Sequence, residues 1–336
     1  MDWHLQAVSK DRTRALLWAL RGGRPARLRI VEIATNKIDV DLELPALTRV
    51  VEGDERGIAA AELSAELRQV ASALVQFPLG AGGKIAVGPD GKRVAFNADR
   101  WLYATPDPAA PPVRVAAGPA AYAPWFTPDG KNLIFRRHVG RFPNGNGRYE
   151  LAVTSSDGKS AVQRLAGTEE PWEVFRTPDA RTVRVYGTYA PYLRTCVGDI
   201  ELAAPFTVTR RACLDGNDKI LECKWSPSGG KLACRSGFEI AYWPVFFHRL
   251  RVMDAVTGAL SLDRSWIGLE PGPWPIAVAD NGAVAVRKDL TTPALERIDP
   301  AGRSKLFATP SYTGEFVDDT HLAVLEGDRF RVIDTR

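Results

Sequence analysis

Short apolar runs alternate with turn signals along almost the whole chain. Four of the turns share one shape, at residues 88–92 (GPDGK), 127–131 (TPDGK), 177–181 (TPDAR) and 226–229 (SPSG). In such a turn the proline presets φ, the aspartate hydrogen-bonds its own turn, and the glycine adopts a positive φ. Apolar runs precede and follow each turn, so the pattern predicts four β-hairpins, each joining two neighbouring strands.

The hairpin signals recur at a regular spacing. The four turn prolines lie 39, 50 and 49 residues apart, and weaker copies of the signal occur at residues 10–12, 280–282 and 318–319. Spacings of about 40 to 50 residues are typical of four-stranded propeller blades. The sequence therefore predicts an all-β fold, a seven-bladed β-propeller. Its last blade, residues 316–334, is expected to lack a fourth strand adjacent in sequence.

Apolar residues flank each turn at fixed positions. They lie two residues before and five residues after the proline position, as Val87 and Val94 do around Pro89. Such residues are predicted to face each other across the two strands as a buried pair. The same rule pairs Val278 with Ala285, and it pairs Phe316 with Ala323.

A helical insertion explains the one long gap in the series. The first two turn signals lie 79 residues apart, and Leu63, Leu67, Val70 and Leu74 between them recur with helical spacing. We expect this helix to pack against its own propeller; the alternative is a helix offered to a partner. The predicted organisation is a single domain over residues 1–336, with blade 1 at about 3–46, the insertion at about 47–83 and blades 2–7 at about 84–336.

The turn signature resembles that of a known group of repeats. The pattern x-Pro-Asp-Gly-Lys-x-Ile/Val-Ala-Phe, followed by a short strand such as residues 101–103 (WLY), is similar to the WD-like repeats of TolB-type propellers. The resemblance covers nearly the whole chain and concerns a fold rather than an activity. Proteins of that group look like periplasmic or secreted scaffolds that bind proteins, or propeller modules attached to hydrolases. This chain departs from the pattern at Ala180, at Ser228 and in the three weaker copies, and no hydrolase domain is apparent.

Composition narrows the class of protein. Apolar residues make up 45% of the chain and charged residues 25%, which is typical of a globular protein and argues against disorder. No apolar run is long enough for a membrane span. A net charge of +4, scattered along the chain, gives no indication of nucleic-acid binding. We therefore expect neither a transmembrane segment nor a nucleic-acid partner, and the sequence leaves any small-molecule ligand unknown.

The four cysteines suggest an oxidising compartment. Cys223 and Cys234 are predicted to lie directly opposite each other, within disulfide range. Cys196 and Cys213 flank the outer strands of blade four and could pair in the same way. Two disulfides and four buried thiols are equal alternatives at this point. The start of the chain shows no export signal, so a periplasmic or extracellular location is favoured by the cysteines alone, with the cytoplasm as the alternative.

Motifs for catalysis are scarce, and one carboxylate arrangement could hold a metal. Glu173 and Glu222 both fall at the start of an innermost strand, in blades four and five, and Asn217 precedes the second. Two carboxylates and an amide oxygen would suit Ca²⁺, in a site resembling the channel metal of propeller lactonases. The alternative is a pair of solvated glutamates with Lys219 or Lys224 as counter-charge. A metal-dependent, lactonase-like hydrolase is therefore the alternative function, and otherwise no cofactor is expected.

Loop length differs between the two faces of the predicted propeller. Hairpin turns are short throughout, whereas the other face holds the long excursions 136–148, 186–198, 235–248 and 266–275. Long loops on a fixed scaffold carry function, so this long-loop face is predicted to be the working face of a non-enzymatic scaffold for a protein partner, as part of a larger assembly. A purely structural subunit of such an assembly is a further alternative. Its aromatic residues either fold back onto the blades or bind that partner. The expected partner-binding residues are Tyr189, Tyr192, Trp243, Phe246, Phe247, Arg136, Arg137 and Arg141.

Overall fold

The computed structural model shows an all-β protein with two helices. It describes residues 2–9, 11–21, 24–51, 60–74, 77, 85–98, 101–105, 112–115, 121–141, 147–165, 171–176, 182–189, 194–201, 206, 208–214, 220–240, 245–268, 274–287, 294–309, 311 and 313–336. Within these residues the strands form seven antiparallel sheets, six of four strands and one of three, each built from strands that are consecutive in the sequence.

The first three sheets and the helices come from the first half of the chain. Sheet 1 comprises β1 (Asp2–Val8), β2 (Arg14–Arg21), β3 (Arg24–Glu32) and β4 (Ile38–Glu43), and it is followed by α1 (Pro45–Val51) and α2 (Ala60–Leu74). Sheet 2 comprises β5 (Ile85–Val87), β6 (Val94–Ala98), β7 (Trp101–Ala104) and β8 (Val113–Arg114). Sheet 3 comprises β9 (Ala121–Phe126), β10 (Asn132–Arg141), β11 (Gly147–Ser155) and β12 (Gln163–Arg164).

Four further sheets follow. Sheet 4 comprises β13 (Pro171–Arg176), β14 (Thr182–Tyr189), β15 (Arg194–Glu201) and β16 (Val208–Cys213). Sheet 5 comprises β17 (Ile220–Trp225), β18 (Lys231–Ile240), β19 (Val245–Asp254) and β20 (Leu260–Gly268). Sheet 6 comprises β21 (Trp274–Val278), β22 (Val284–Arg287), β23 (Ala294–Ile298) and β24 (Ser304–Ala308). Sheet 7 comprises β25 (Gly314–Phe316), β26 (His321–Glu326) and β27 (Arg329–Asp334).

The residues of the chain form two compact units, each defined by the contacts among its own residues. The first contains residues 1–32, 37–188 and 199–209, and the second contains residues 33–36, 189–198 and 210–336. The expected boundaries of a single domain over 1–336 stay a prediction.

The inner hairpins follow the predicted register where the turns carry the full signature. Val87 lies opposite Val94, and the two glycines Gly91 and Gly130 have φ of 66° and 67°, which lets each turn close with a backbone hydrogen bond. The rule also holds in the weaker copy at residues 10–12, where Val8 lies opposite Ala15. It was wrong by one residue in the other two weaker copies. Val278 faces Val284, and Phe316 faces Leu322, because these turns are one residue shorter. The turn at residues 177–181 lies outside the described residues.

Two of the expected long loops are largely strand. The excursion predicted at 235–248 is an extended ribbon in which β18 continues to Ile240 and β19 begins at Val245. The excursion at 136–148 is likewise filled by β10 and β11, up to Arg141 and from Gly147. Pairing along the ribbon satisfies the backbone N–H and C=O groups that an irregular loop would leave to solvent, so the chain stays in strand conformation.

In the first unit, α2 buries its apolar face. Leu67 and Val70 of α2 share one core cluster with Leu16 of β2 and Phe96 of β6. Glu66 on the same helix is buried, and its two carboxylate oxygens each accept a backbone N–H bond of 2.9 Å from the start of α1. Burial raises the pKa of Glu66, and these two hydrogen bonds oppose that rise. These contacts hold α2 against α1 and against sheets 1 and 2.

In the second unit, the three-stranded sheet has its edge strand capped by a side chain. The Asn36 amide donates to the Phe330 carbonyl oxygen at 3.0 Å and accepts from the Phe330 N–H at 2.6 Å. Asn36 has a positive φ of 58°. The amide therefore supplies the donor and acceptor that one residue of a fourth strand would supply.

We expect Asn36 to contribute measurably to stability. N36G keeps the backbone conformation and removes only the two hydrogen bonds, so it should cost about 1–2 kcal/mol. N36A adds the strain of a positive φ and should cost about 1 kcal/mol more. Urea unfolding of the two variants measures both terms. Wild-type stability in N36G would contradict the capping role.

Candidate functional site

The outer half of the β18–β19 ribbon carries a row of apolar residues. Phe247 on β19 lies directly opposite Phe238 on β18 and opposite Ile267 on β20. Residues opposite each other on antiparallel strands share a face, so the side chains of Phe247 and Ile267 lie in one row across β19 and β20. Ile267 is 71% exposed, the highest value among the large apolar side chains that the structure describes, and Phe247 is half-buried. We call Phe247 and Ile267 the apolar row.

Ile267 was missed from the sequence, although a signal was present. It lies in an alternating segment, Leu262 to Ile267, where alternation would place a large apolar residue on the solvated side. Phe247 was predicted from the sequence as a partner-binding residue. That Ile267 is its cross-strand neighbour is evident only from the pairing of β19 with β20.

The other predicted aromatic anchors are only partly described. Phe246 has its backbone in β19, opposite Gly268, and Tyr189 is the last residue of β14. The side chains of both, and all of Tyr192 and Trp243, lie outside the described residues. Their role in partner binding stays a prediction.

The predicted arginines of β10 differ in what they contact. The Arg136 guanidinium lies 3.8 Å from the ring centre of Tyr149, a cation–π contact. Arg137 forms an ion pair of 2.5 Å with the buried carboxylate of Glu150. Arg141, at the end of β10, is exposed. Arg136 and Arg137 thus contact residues of their own sheet, and Arg141 is the one of the three with an exposed side chain.

The candidate metal ligands are not brought together in what the structure describes. Glu222 is half-exposed and forms an ion pair of 3.1 Å with Lys224, the counter-charge considered as an alternative. Glu173 has its backbone in β13, and its side chain and Asn217 lie outside the described residues. Among the described residues no three His, Cys, Asp or Glu side chains are grouped as a metal site requires. The calcium site stays a prediction.

Glu222 also faces a buried cation that the sequence did not single out. Arg235 on β18 lies opposite Glu222 and is only 4% exposed. Its guanidinium carbon lies 3.9 Å from the ring centre of Trp274, and its Nη2 lies 3.3 Å from Nδ1 of His248. Burial lowers the pKa of Arg235 to about 10, and the charge of Glu222 opposes that shift. Strongly shifted pKa values cluster at functional sites and also occur in structural ion-pair networks.

Both cysteine pairs are disulfides. Cys223 and Cys234 are opposed on β17 and β18, as the register predicted, with a Cα–Cα distance of 4.1 Å. Cys196 and Cys213 are bonded on β15 and β16 with a Cα–Cα distance of 3.9 Å. Of the alternatives that the sequence left open, the structure has the two disulfides and no free cysteine.

No helix in the described part of the chain is long and apolar enough to cross a membrane.

Comparisons with known proteins concern the fold. No family model matches the chain, and no curated protein matches it. Hydrazine synthase from Kuenenia stuttgartiensis is similar in structure, with a TM-score of 0.54 at 12% identity over 99% of this chain and 95% of that chain. TolB from Acinetobacter baumannii has a TM-score of 0.39 at 15% identity over 91% and 78%. The β-propeller domain of the Trilobed protease from Pyrococcus furiosus has 0.42 at 11% over 75% and 81%.

TolB and a β-propeller domain are therefore among the structures to which this chain is similar, as the repeats predicted. At these identities the likeness says nothing about activity.

The disulfides lead to a prediction about stability. Alkylating the denatured, unreduced protein should label no cysteine, and labelling after reduction should reach four. Replacing Cys223 and Cys234 together by Ala should lower the free energy of unfolding by about 2–4 kcal/mol, since the cross-link restricts the unfolded chain. The matched pair C196A/C213A should show a similar loss. Four reactive thiols before reduction would contradict the assignment.

Proposed function

We propose that this protein is a seven-bladed β-propeller, with α1 and α2 inserted between the first two blades, that acts as a non-enzymatic scaffold for a protein partner. Seven successive sheets of neighbouring strands support the blade count. The row of Phe247 and Ile267 on sheet 5 supports the binding role, and it is the observation on which that role mainly depends.

Contacts between successive hairpin turns support the order of the blades. In the first unit, Arg93 donates to the Gly130 carbonyl and, at 2.7 Å, to the Ser156 hydroxyl. In the second unit, Ser228 donates to the Asp280 carboxylate at 2.6 Å, and the N–H of Asn281 donates to Asp319 at 3.0 Å. Each contact joins the turn of one sheet to a turn of the next sheet in sequence, as neighbouring propeller blades require.

The disulfides support an oxidising compartment for this scaffold. Structural disulfides persist in the periplasm or outside the cell and are rare in the cytoplasm. The proposed location is therefore periplasmic or extracellular. Two disulfides in a chain with four cysteines leave no thiol for catalysis or metal binding.

The apolar row fits a protein interface better than open water. Large apolar side chains that lie together on a surface mark interaction sites, and interface cores are apolar with arginine at the edge. The proposal retains Phe247 from the sequence prediction and adds Ile267. Tyr189, Tyr192, Trp243 and Phe246 belong to the same long-loop surface in this proposal, as do Arg136, Arg137 and the exposed Arg141.

The partner proposal predicts a local loss of affinity. The double change F247S/I267S should weaken binding of a partner, recovered by affinity capture and then titrated in purified form, by at least about 2 kcal/mol, or about 30-fold in Kd. The free energy of unfolding should change by less than about 1 kcal/mol, because the row lies outside the buried core.

The control and the contrary outcome are both accessible. V256S/L260S alters two apolar residues of sheet 5 that are 54% and 47% exposed, at the opposite end of β20, and should leave affinity unchanged. A collapse of the melting temperature in F247S/I267S with unchanged association would show that the row belongs to the core. Purified protein with bound calcium whose removal abolishes ester or lactone hydrolysis would instead favour the metal-dependent alternative.

A further inference from the structure

Arg235 is a buried cation whose surroundings do not neutralise it. Of the described residues, Glu222 is the carboxylate whose charge reaches Arg235, and Glu222 is already in an ion pair with Lys224. The nearest hydrogen-bonding partner is His248, which contributes no negative charge. The Nε of Arg235 is buried and has no hydrogen-bond partner. Burying a charge that has no carboxylate in hydrogen-bond contact is costly.

The groups around Arg235 hold its guanidinium in one orientation. The Trp274 ring packs against the guanidinium plane, and the His248 nitrogen lies beside Nη2. The guanidinium offers Nε and an Nη nitrogen as parallel donors, an arrangement that matches the two oxygens of a carboxylate. The plane is fixed and the buried Nε is unbonded, so a carboxylate that reaches Nε meets donors that are already oriented.

The neighbouring charges favour an anion. Arg264 on β20 forms an ion pair of 3.6 Å with Glu296 on β23. The carboxylate of Glu296 is therefore already paired with a cation other than Arg235. Other cases in the chain show the contrast. Arg29 stacks 4.3 Å from the ring centre of Trp3 and also bonds the carboxylate of Asp41 at 2.9 Å. Arg235 has the same stacking on an aromatic ring and lacks the carboxylate.

We propose that Arg235 binds the carboxylate of an organic anion that has an apolar body, with the body lying along half-buried Trp274 and Trp266. Trp266 lies opposite His248 on β20, so it shares a face with the cluster. Trp274 and Glu222, two neighbours of the buried guanidinium, are both partly exposed. The proposal stands apart from partner binding by the apolar row, because Phe247 and Arg235 lie on opposite faces of the ribbon.

Two sources could supply this carboxylate, a free organic acid or the C-terminus of a peptide. Calorimetry can compare phenylacetate with phenylacetamide, and the tripeptide Ala-Ala-Phe with its C-terminal amide. In at least one of the two pairs the acid should bind 10-fold tighter or more than the amide. The pair that shows this preference identifies the source. Equal or absent binding of acid and amide in both pairs would overturn the proposal.

Substitutions tie the preference to Arg235. R235Q should abolish the preference for the acid. R249Q is the matched control, because Arg249 is a neighbour on β19 that is already paired with Asp263 at 2.6 Å, and it should retain the preference. Acid preference that survives in R235Q would overturn the proposal.

Thermal unfolding separates this role from a structural one. R235Q should unfold at the same temperature as the wild type or higher, since it removes an uncompensated buried charge. Saturating acid should raise the melting temperature of the wild type and leave that of R235Q unchanged. Should R235Q fail to fold, R235K keeps the charge without the parallel donors and should bind the acid at least 10-fold more weakly than the wild type. Unweakened binding by R235K would overturn the proposal.

Discussion

The register of the inner hairpins is the constraint from which the other features of each sheet follow. The residues on either side of a full-length turn, such as Val87 and Val94, are held opposite each other by a turn whose glycine adopts positive φ. A slip of one residue would move every apolar side chain to the other face of its sheet. The one-residue shorter turns keep an apolar pair, Phe316 with Leu322, by shifting the partner along the strand.

In sheet 5 the same register separates two kinds of chemistry. Side chains alternate along a strand, so Cys234 and Arg235 point to opposite faces although they are neighbours. One face carries the disulfide to Cys223 and, farther along, the apolar row of Phe247 and Ile267. The opposite face carries Arg235 and His248. A single ribbon thus provides an exposed apolar surface and a buried basic one.

The arginines illustrate how burial and pairing combine. Arg137 meets Glu150, and Arg29 meets Asp41, so in both cases a carboxylate balances the charge within the sheet. Arg235 has an aromatic ring and an imidazole beside it instead. Strand pairing places a carboxylate opposite all three arginines; the difference is that Glu222, opposite Arg235, forms its ion pair with Lys224 instead.

The sequence by itself determined the repeated hairpins, the opposition of Cys223 and Cys234, and the helical spacing of Leu67 and Val70. These depend on local turn chemistry and on residue periodicity, which short segments carry. Only the tertiary structure decided that the expected loop at 235–248 is a strand ribbon and that Ile267 lies beside Phe247. It also decided that Arg235 is buried against Trp274. Those features arise where one strand pairs with or packs against another, and the residues of a single strand do not specify its partner.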